Sequence, residues 1–264
     1  MKAMTATLRF LGTGDAMGVP RVYCECGVCA EARTTGVNRR FRSSVLIDDP
    51  EAGLVLIDCG PDWGRMMETA GLRFAERMLL THAHYDHIGG LPEWADACRW
   101  QERKGIVRAP KETIAEVLER FPWIGRVAEF LPADEGFRLG GWNVRVWRVN
   151  HGNNGHAYAY RFDHAENGWA WAYCTDAFGL SEAEKAPLTG LDLLVLGTSF
   201  WHETIPIERR SVYDVIEAIE LIRELKPRQA LFTHLSHGID LTRRCELPDN
   251  ARFAETGLVI RLGD

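Results

Sequence analysis

Four short apolar runs in this 264-residue chain each end on a residue type that binds metal ions: RMLLTH at His82, VRVWRVNH at His151, WAWAYCTD at Asp176 and QALFTH at His234. Their lengths and their Val, Trp, Tyr and Phe content favour β-strands. Ligand-type side chains on separate strands converge when the strand ends share one edge of a sheet system, where loops line a cleft. Further runs of the same kind (ATLRFLG, SVLID, LVLID, HAYAYRF, DLLVLGT, LVIRL) supply the strands for a large sheet system. Helical patterns lie between them. Val212, Val215, Ile216, Ile219, Ile222 and Leu225 recur at helical spacing, which predicts a helix over 211–225 with Ser211 and Asp214 as a capping box and Pro227 closing it. A weaker helical pattern covers 111–121, and LPEWADACRW suggests another. Many strands with interspersed helices predict a layered α/β fold. No linker, repeat or low-complexity tract divides the sequence, so residues 1–264 are expected to form one domain.

Within that frame, THAHYDHIGG (residues 81–90) is the densest feature: His82, His84, Asp86 and His87 form H-x-H-x-D-H. Three imidazoles and a carboxylate in six residues repel and desolvate one another unless a cation joins them. Imidazole with carboxylate suits zinc, manganese, iron or nickel. A second cluster, YCECGVC, places Cys24, Cys26 and Cys29 within six positions. The chain has seven cysteines and a formal charge of −6. Its opening, MKAMTATLRFLGTG, carries one lysine and no apolar stretch of signal-peptide length, so a cytoplasmic location is expected, with the cysteines as metal ligands and buried thiols rather than a disulfide framework. No run reaches the length of a membrane span. The acidic balance provides no global field for nucleic acid. A closed zinc site takes four ligands. Spacing alone leaves the fourth open among Cys98, Cys245, His202 and His237.

The H-x-H-x-D-H cluster after an apolar strand resembles the signature of the metallo-β-lactamase fold superfamily, and RVNHG, YCTDA and FTHLS follow in the order of its later ligands. The resemblance implies an αββα sandwich of two facing mixed sheets flanked by helices, with a dinuclear site at one edge. It assigns His82, His84 and His151 to one ion, Asp86, His87 and His234 to the other, and Asp176 to the bridge. Asp58, in LIDCG, would accept an imidazole N–H and fix which nitrogen faces the metal. A narrower resemblance covers nearly the whole chain. LGTGDAMGVP, CECGVC, NRRFRSSVLID, LIDCG, LLTHAHYDH and THLSH are similar, in order, to the PhnP phosphodiesterases of the carbon–phosphorus lyase system. The C-x-C-x-x-C insertion at about 20–40 sets them apart from most relatives, although the PqqB branch has something similar. This resemblance implies a structural zinc on Cys24, Cys26, Cys29 and His237.

The chemistry expected is hydrolysis. Two divalent ions, zinc or manganese with nickel or iron also accepted, would lower the pKa of bound water from about 16 toward about 7 and generate hydroxide. Asp86 and Asp176 offset part of their charge, so an acidic protein still presents a positive pocket to phosphate. A leaving alkoxide needs a proton, and His202, in TSFWHE, is the candidate general acid; the related phosphodiesterases have a histidine in this region at a slightly different position. Arg39, Arg40 and Arg42 read as a solvated basic turn, with contact to substrate phosphate as the alternative. A small phosphodiester is the expected substrate, such as a cyclic ribose phosphate or 2′,3′-cyclic nucleotide. A homodimer is left open. The alternatives are a PqqB-like coenzyme-biosynthesis protein and a non-catalytic metal-binding accessory protein.

Overall fold

The computed structural model describes residues 5–263. The first four residues, part of the stretch read above for export signals, lie outside that range. The chain first lays down Thr7–Gly12 (β1), Ser44–Asp49 (β2), Gly53–Ile57 (β3), Arg77–Leu79 (β4), Gly105–Ala109 (β5) and Ala128–Pro132 (β6). It then forms Phe137–Leu139 (β7), Trp142–Asn150 (β8), His156–His164 (β9), Ala170–Cys174 (β10), Leu193–Gly197 (β11), Gln229–Thr233 (β12) and Ala251–Phe253 (β13). Val259–Arg261 (β14) returns to the first group. Two seven-stranded sheets result, ordered β14-β1-β2-β3-β4-β5-β6 and β13-β12-β11-β10-β9-β8-β7. Both are mixed: β3 to β6 are parallel, as are β10 to β13, and the remaining pairs are antiparallel.

The alternation within each strand builds the layers. Val55 and Ile57 of β3 meet Trp171, Tyr173, Leu193 and Val195 of the opposite sheet, whereas Leu56, between them in sequence, points outward to Met67, Leu91 and Trp94. Likewise Leu194 and Leu196 of β11 turn away from their neighbours to pack on Val215, Ala218 and Ile222. Three apolar layers therefore separate four structural layers, helix, sheet, sheet and helix, which is the expected αββα sandwich. Phe162 and Trp171 stack in the central layer at 4.1 Å between ring centroids. Each fully buried aliphatic or aromatic side chain here contributes roughly 1.5–3 kcal/mol.

The long amphipathic helix begins later than its periodicity suggests. It spans Val215–Leu225, and its capping box is Asp214 with Glu217, not Ser211 with Asp214. Asp214 accepts from Glu217 N–H at 2.9 Å while the Glu217 carboxylate takes Asp214 N–H at 3.1 Å. Ser211 lies outside the helix, where its carbonyl serves the site described below. The other two helical expectations correspond to Lys111–Arg120 and Leu91–Trp100. Among the described residues no helix is long and apolar enough to cross a membrane.

Candidate metal centres

The parallel strands β3, β4 and β10 to β12 end at the same edge, and the residues just past those ends make the site. Asp58 follows β3, His82 follows β4, Asp176 follows β10 and His234 follows β12, with His151 at the end of antiparallel β8. Two of these, Asp58 and His234, adopt φ of 65° and 59°. Left-handed backbone is uncommon for such residues and marks positions held by their surroundings. Gly60 lets the Asp86 carbonyl lie where a Cβ would be, so the ligand turn packs directly on the loop after Asp58.

Two ligand groups form here. His82, His84 and His151 bring ring nitrogens together, and Asp86, His87, Asp176 and His234 bring together carboxylate oxygens and ring nitrogens, the atoms of each set lying within 4.8 Å of one another. Asp176 stands between them: Oδ2 is 3.5 Å from His151 Nε2 and 3.5 Å from His234 Nε2, and Oδ1 is 3.3 Å from His87 Nε2. Among the described residues, His87 Nε2, His234 Nδ1 and Nε2, and Asp176 Oδ1 are buried without a hydrogen-bond partner. Orphaned polar atoms at this depth are costly. Four of them on side chains that all ligate metals are what a cation-binding cradle looks like before the cation is counted, and this donor set fits two divalent ions.

Electrostatics separates the two groups. Burial holds His82 well below its ordinary value, helped by the neighbouring imidazoles, and lowers His84 and His151 in the same way. These rings stay neutral with a lone pair to offer. In the second group burial works against protonation, yet Asp86, Asp176 and Asp58 raise His87 well above its usual range. Asp176 and Asp86 similarly lift His234 to about 9. Burial resists ionisation of Asp86 and Asp176 too, but the facing imidazoles keep both carboxyls well below the usual carboxylate range. The second group attracts positive charge.

Ring orientation is set one layer out. Asp58, fully buried, accepts His87 Nδ1–H at 2.7 Å, which leaves His87 Nε2 facing Asp86 and Asp176. It also accepts Thr81 N–H at 2.9 Å and the Thr81 hydroxyl at 2.9 and 3.0 Å. A hydroxyl has one proton. Having given it to Asp58, Thr81 Oγ1 is the acceptor for His82 Nδ1–H at 3.0 Å, so His82 also turns Nε2 inward. His151 donates Nδ1–H to the Ser211 carbonyl at 2.7 Å. Such outer partners fix tautomer and ring direction.

The cysteine group lies beside this cleft. Cys24, Cys26 and Cys29 Sγ are 3.2, 3.5 and 3.6 Å from one atom, His237 Nδ1. A tetrahedral zinc with its usual bond lengths separates sulfur and nitrogen ligands by about 3.5–3.6 Å, so these four side chains fit that ion. Burial and the nearby Arg21 hold His237 below its ordinary value, keeping its ring neutral. Of the other candidates for a fourth ligand, Cys98 is buried against the first sheet and Cys245 contacts the Arg243 carbonyl.

His202 is not brought into either group. Its side chain is 60% exposed, with Nδ1 3.1 Å from Asp214 Oδ2, and it is the adjacent Glu203 that lines the cleft. The basic turn is corrected: Arg40 is neither solvated nor in the cleft. It is 2% exposed and donates to the Ser236 and Ile239 carbonyls, clamping the loop that carries His234 and His237. Arg39 caps the Ala32 carbonyl and Arg42 pairs with Asp62. The cleft, of about 200 Å³, is also walled by Asp15, Arg21, Asn154 and Phe200. Residue type and spacing gave no reason to single these out, and Thr81 was hidden in the same way because its role depends on two contacts through space.

A domain model of the beta-lactamase superfamily matches residues 54–235, and the chain belongs to that superfamily. Its two seven-stranded sheets are those of the metallo-β-lactamase fold, and it falls in the PhnP-like branch. The crystal structure of a diphosphatase from the PhnP family superposes with a TM-score of 0.84 at 28% identity, covering 97% of both chains. Zn²⁺-bound PqqB from Methylobacterium extorquens shares the fold, with a TM-score of 0.78, 18% identity and coverage of 97% of this chain and 100% of that one. Among curated proteins, an octanoyltransferase from Porphyromonas gingivalis is 28% identical over 237 residues, 86% of this chain and 45% of that protein. A ribonuclease Z from Agathobacter rectalis is 30% identical over 108 residues, 37% of this chain and 35% of that protein. The chain thus spans less than half the length of these curated relatives.

Proposed function

We propose that this chain is a metal-dependent phosphodiesterase acting on a small or cyclic phosphodiester, with two divalent ions in the cleft and one structural zinc on the cysteine loop. The observation that carries this reading is Asp176, whose two oxygens face imidazoles of both ligand groups at the floor of a cleft too small for a folded macromolecule. Ions bound there would supply Lewis acidity and an acidified water. The protein's part is positional. Asp58, directly and through Thr81, turns Nε2 of His87 and His82 toward Asp176, and the Ser211 carbonyl does the same for His151. Asp86 and Asp176 would contribute the negative charge that holds the cations. His202, held by Asp214 on the loop that also carries Glu203 into the cleft wall, is assigned the proton donated to the leaving oxygen. The similarity to a PhnP-family diphosphatase supports phosphoryl chemistry, and a phosphoanhydride is the second substrate class to assay.

Hydrolysis of bis(p-nitrophenyl) phosphate by protein loaded with zinc or manganese tests the reading. Asp176→Ala should lower turnover at least ~10³-fold, the scale expected when metal assistance is removed, while the far-ultraviolet circular dichroism persists. Near-wild-type turnover in that variant would reject Asp176 as the shared ligand.

A further inference from the structure

Among the described residues that line the cleft, Arg21 is the only arginine or lysine. Its surroundings are those of a placed group. Nη2 is 2.5 Å from Asp15 Oδ2, and the two side chains are only 15% and 9% exposed. The guanidinium carbon lies 6.0 Å from the centre of the Phe200 ring. The Arg21 carbonyl accepts Cys24 N–H at 3.1 Å and Arg33 Nη2–H at 2.8 Å, so the backbone is fixed to the cysteine loop. Asp15, in turn, donates its N–H to the Leu235 carbonyl at 3.2 Å, next to His234. The side chain therefore runs from the cysteine loop into the cleft and is steadied at both ends.

The pairing does not exhaust it. A guanidinium has five N–H donors in a rigid fork that matches phosphate oxygens. Asp15 engages Nη2, and Nε–H is buried without an acceptor among the described residues. The other ionisable groups on the cleft wall are carboxylates and imidazoles. An anionic substrate entering there meets one permanent cation that belongs to the protein.

We propose that Arg21 is a specificity-determining residue that binds a non-bridging oxygen of the substrate phosphate, and that the cysteine loop serves to hold it there. This rests on the phosphodiester reading above. A guanidinium fixed beforehand loses little conformational freedom on binding, so it adds to affinity for the anion. The competing account is that Arg21 only braces the cysteine loop against Asp15.

The test uses metal-loaded full-length protein and two readouts, inorganic phosphate affinity by calorimetry and steady-state hydrolysis of bis(p-nitrophenyl) phosphate. Arg21→Ala should weaken phosphate binding and raise KM at least tenfold, change kcat only a few-fold, and keep its tightly held zinc; Arg21→Lys should recover part of the loss. Unchanged phosphate affinity and KM in zinc-replete Arg21→Ala would overturn the proposal, as would a metal-loaded wild type that binds no phosphate. Should Arg21→Ala shed its zinc, Arg21→Lys decides: weakened phosphate binding with zinc retained supports the proposal, and wild-type binding refutes it. A wild type that hydrolyses no diester yet binds phosphate through Arg21 would sink the phosphodiesterase reading alone. Diester hydrolysis by the wild type with phosphate affinity and KM unchanged in Arg21→Ala would sink this one alone.

Discussion

The two candidate metal regions sit side by side, and each joins one dense six-residue cluster to residues brought in from a distance, in different numbers. Three of the four side chains in the cysteine group come from one six-residue stretch, and the fourth, His237, brings Nδ1 within 3.6 Å of all three sulfurs. The group is near the surface, with Cys26 exposed. The histidine–carboxylate groups take four of their seven residues from the 82–87 turn and the other three, His151, Asp176 and His234, from strand ends far apart in sequence; they are mostly buried and open onto a cleft. The first joins one short stretch to a single distant histidine, whereas the second needs the ends of four strands to converge. Soft thiolates in a closed set suit a retained zinc, and imidazole with carboxylate accepts several borderline or hard ions.

The sharpest way to break this comparison is chelation. Mild chelator should abolish hydrolysis yet leave about one zinc per chain by elemental analysis, and manganese should restore turnover. Cys26→Ala and His237→Ala should lose that retained zinc and melt earlier, because a closed site's ion contributes to folding, roughly 10–16 kcal/mol in apparent terms for zinc-finger peptides. If His237→Ala keeps its zinc, the fourth ligand is another residue. A smaller effect separates the cleft from its rim. His202→Ala should slow esters with alkyl leaving groups by about 10²-fold, within the usual range for a proton donor, and p-nitrophenyl esters only a few-fold. Equal losses on both would make His202 a support for Asp214, and a selective loss in Glu203→Gln instead would move the role there. Smallest is Thr81→Val, which removes the acceptor for His82 Nδ1–H. It should weaken metal affinity by about tenfold, the low end for such outer partners, with both metal groups still able to load at high concentration. No change in metal titration would show that the Thr81 hydroxyl does not orient His82.

Much of this was legible in the chain because the physics behind it is local. Strands such as LVLID and DLLVLGT announce themselves through apolar runs, and the H-x-H-x-D-H turn through a density of ligands that only a cation relieves. What escaped depends on contacts made at a distance. The first turn predicted for the long helix is spent elsewhere because the Ser211 carbonyl is needed by His151, 60 residues away. Arg40 sits in a basic run, yet carbonyls near residue 236 draw it into the interior. Short strands such as Phe137–Leu139 and Ala251–Phe253 hold too few residues to show a period. Arg21 carries no mark in sequence at all, since its meaning comes from Asp15 and the cleft it faces.

The reach of Asp58 has a further consequence. One carboxylate steers His87 directly and His82 through Thr81, and those two rings belong to different ligand groups. In the language of linkage, the two positions are then not independent: settling Asp58 for one ion prepays part of the ordering needed for the other, and the benefit is reciprocal by thermodynamic necessity. Metal uptake by the cleft should follow a cooperative isotherm, with the half-loaded species scarcer than two unconnected sites would give.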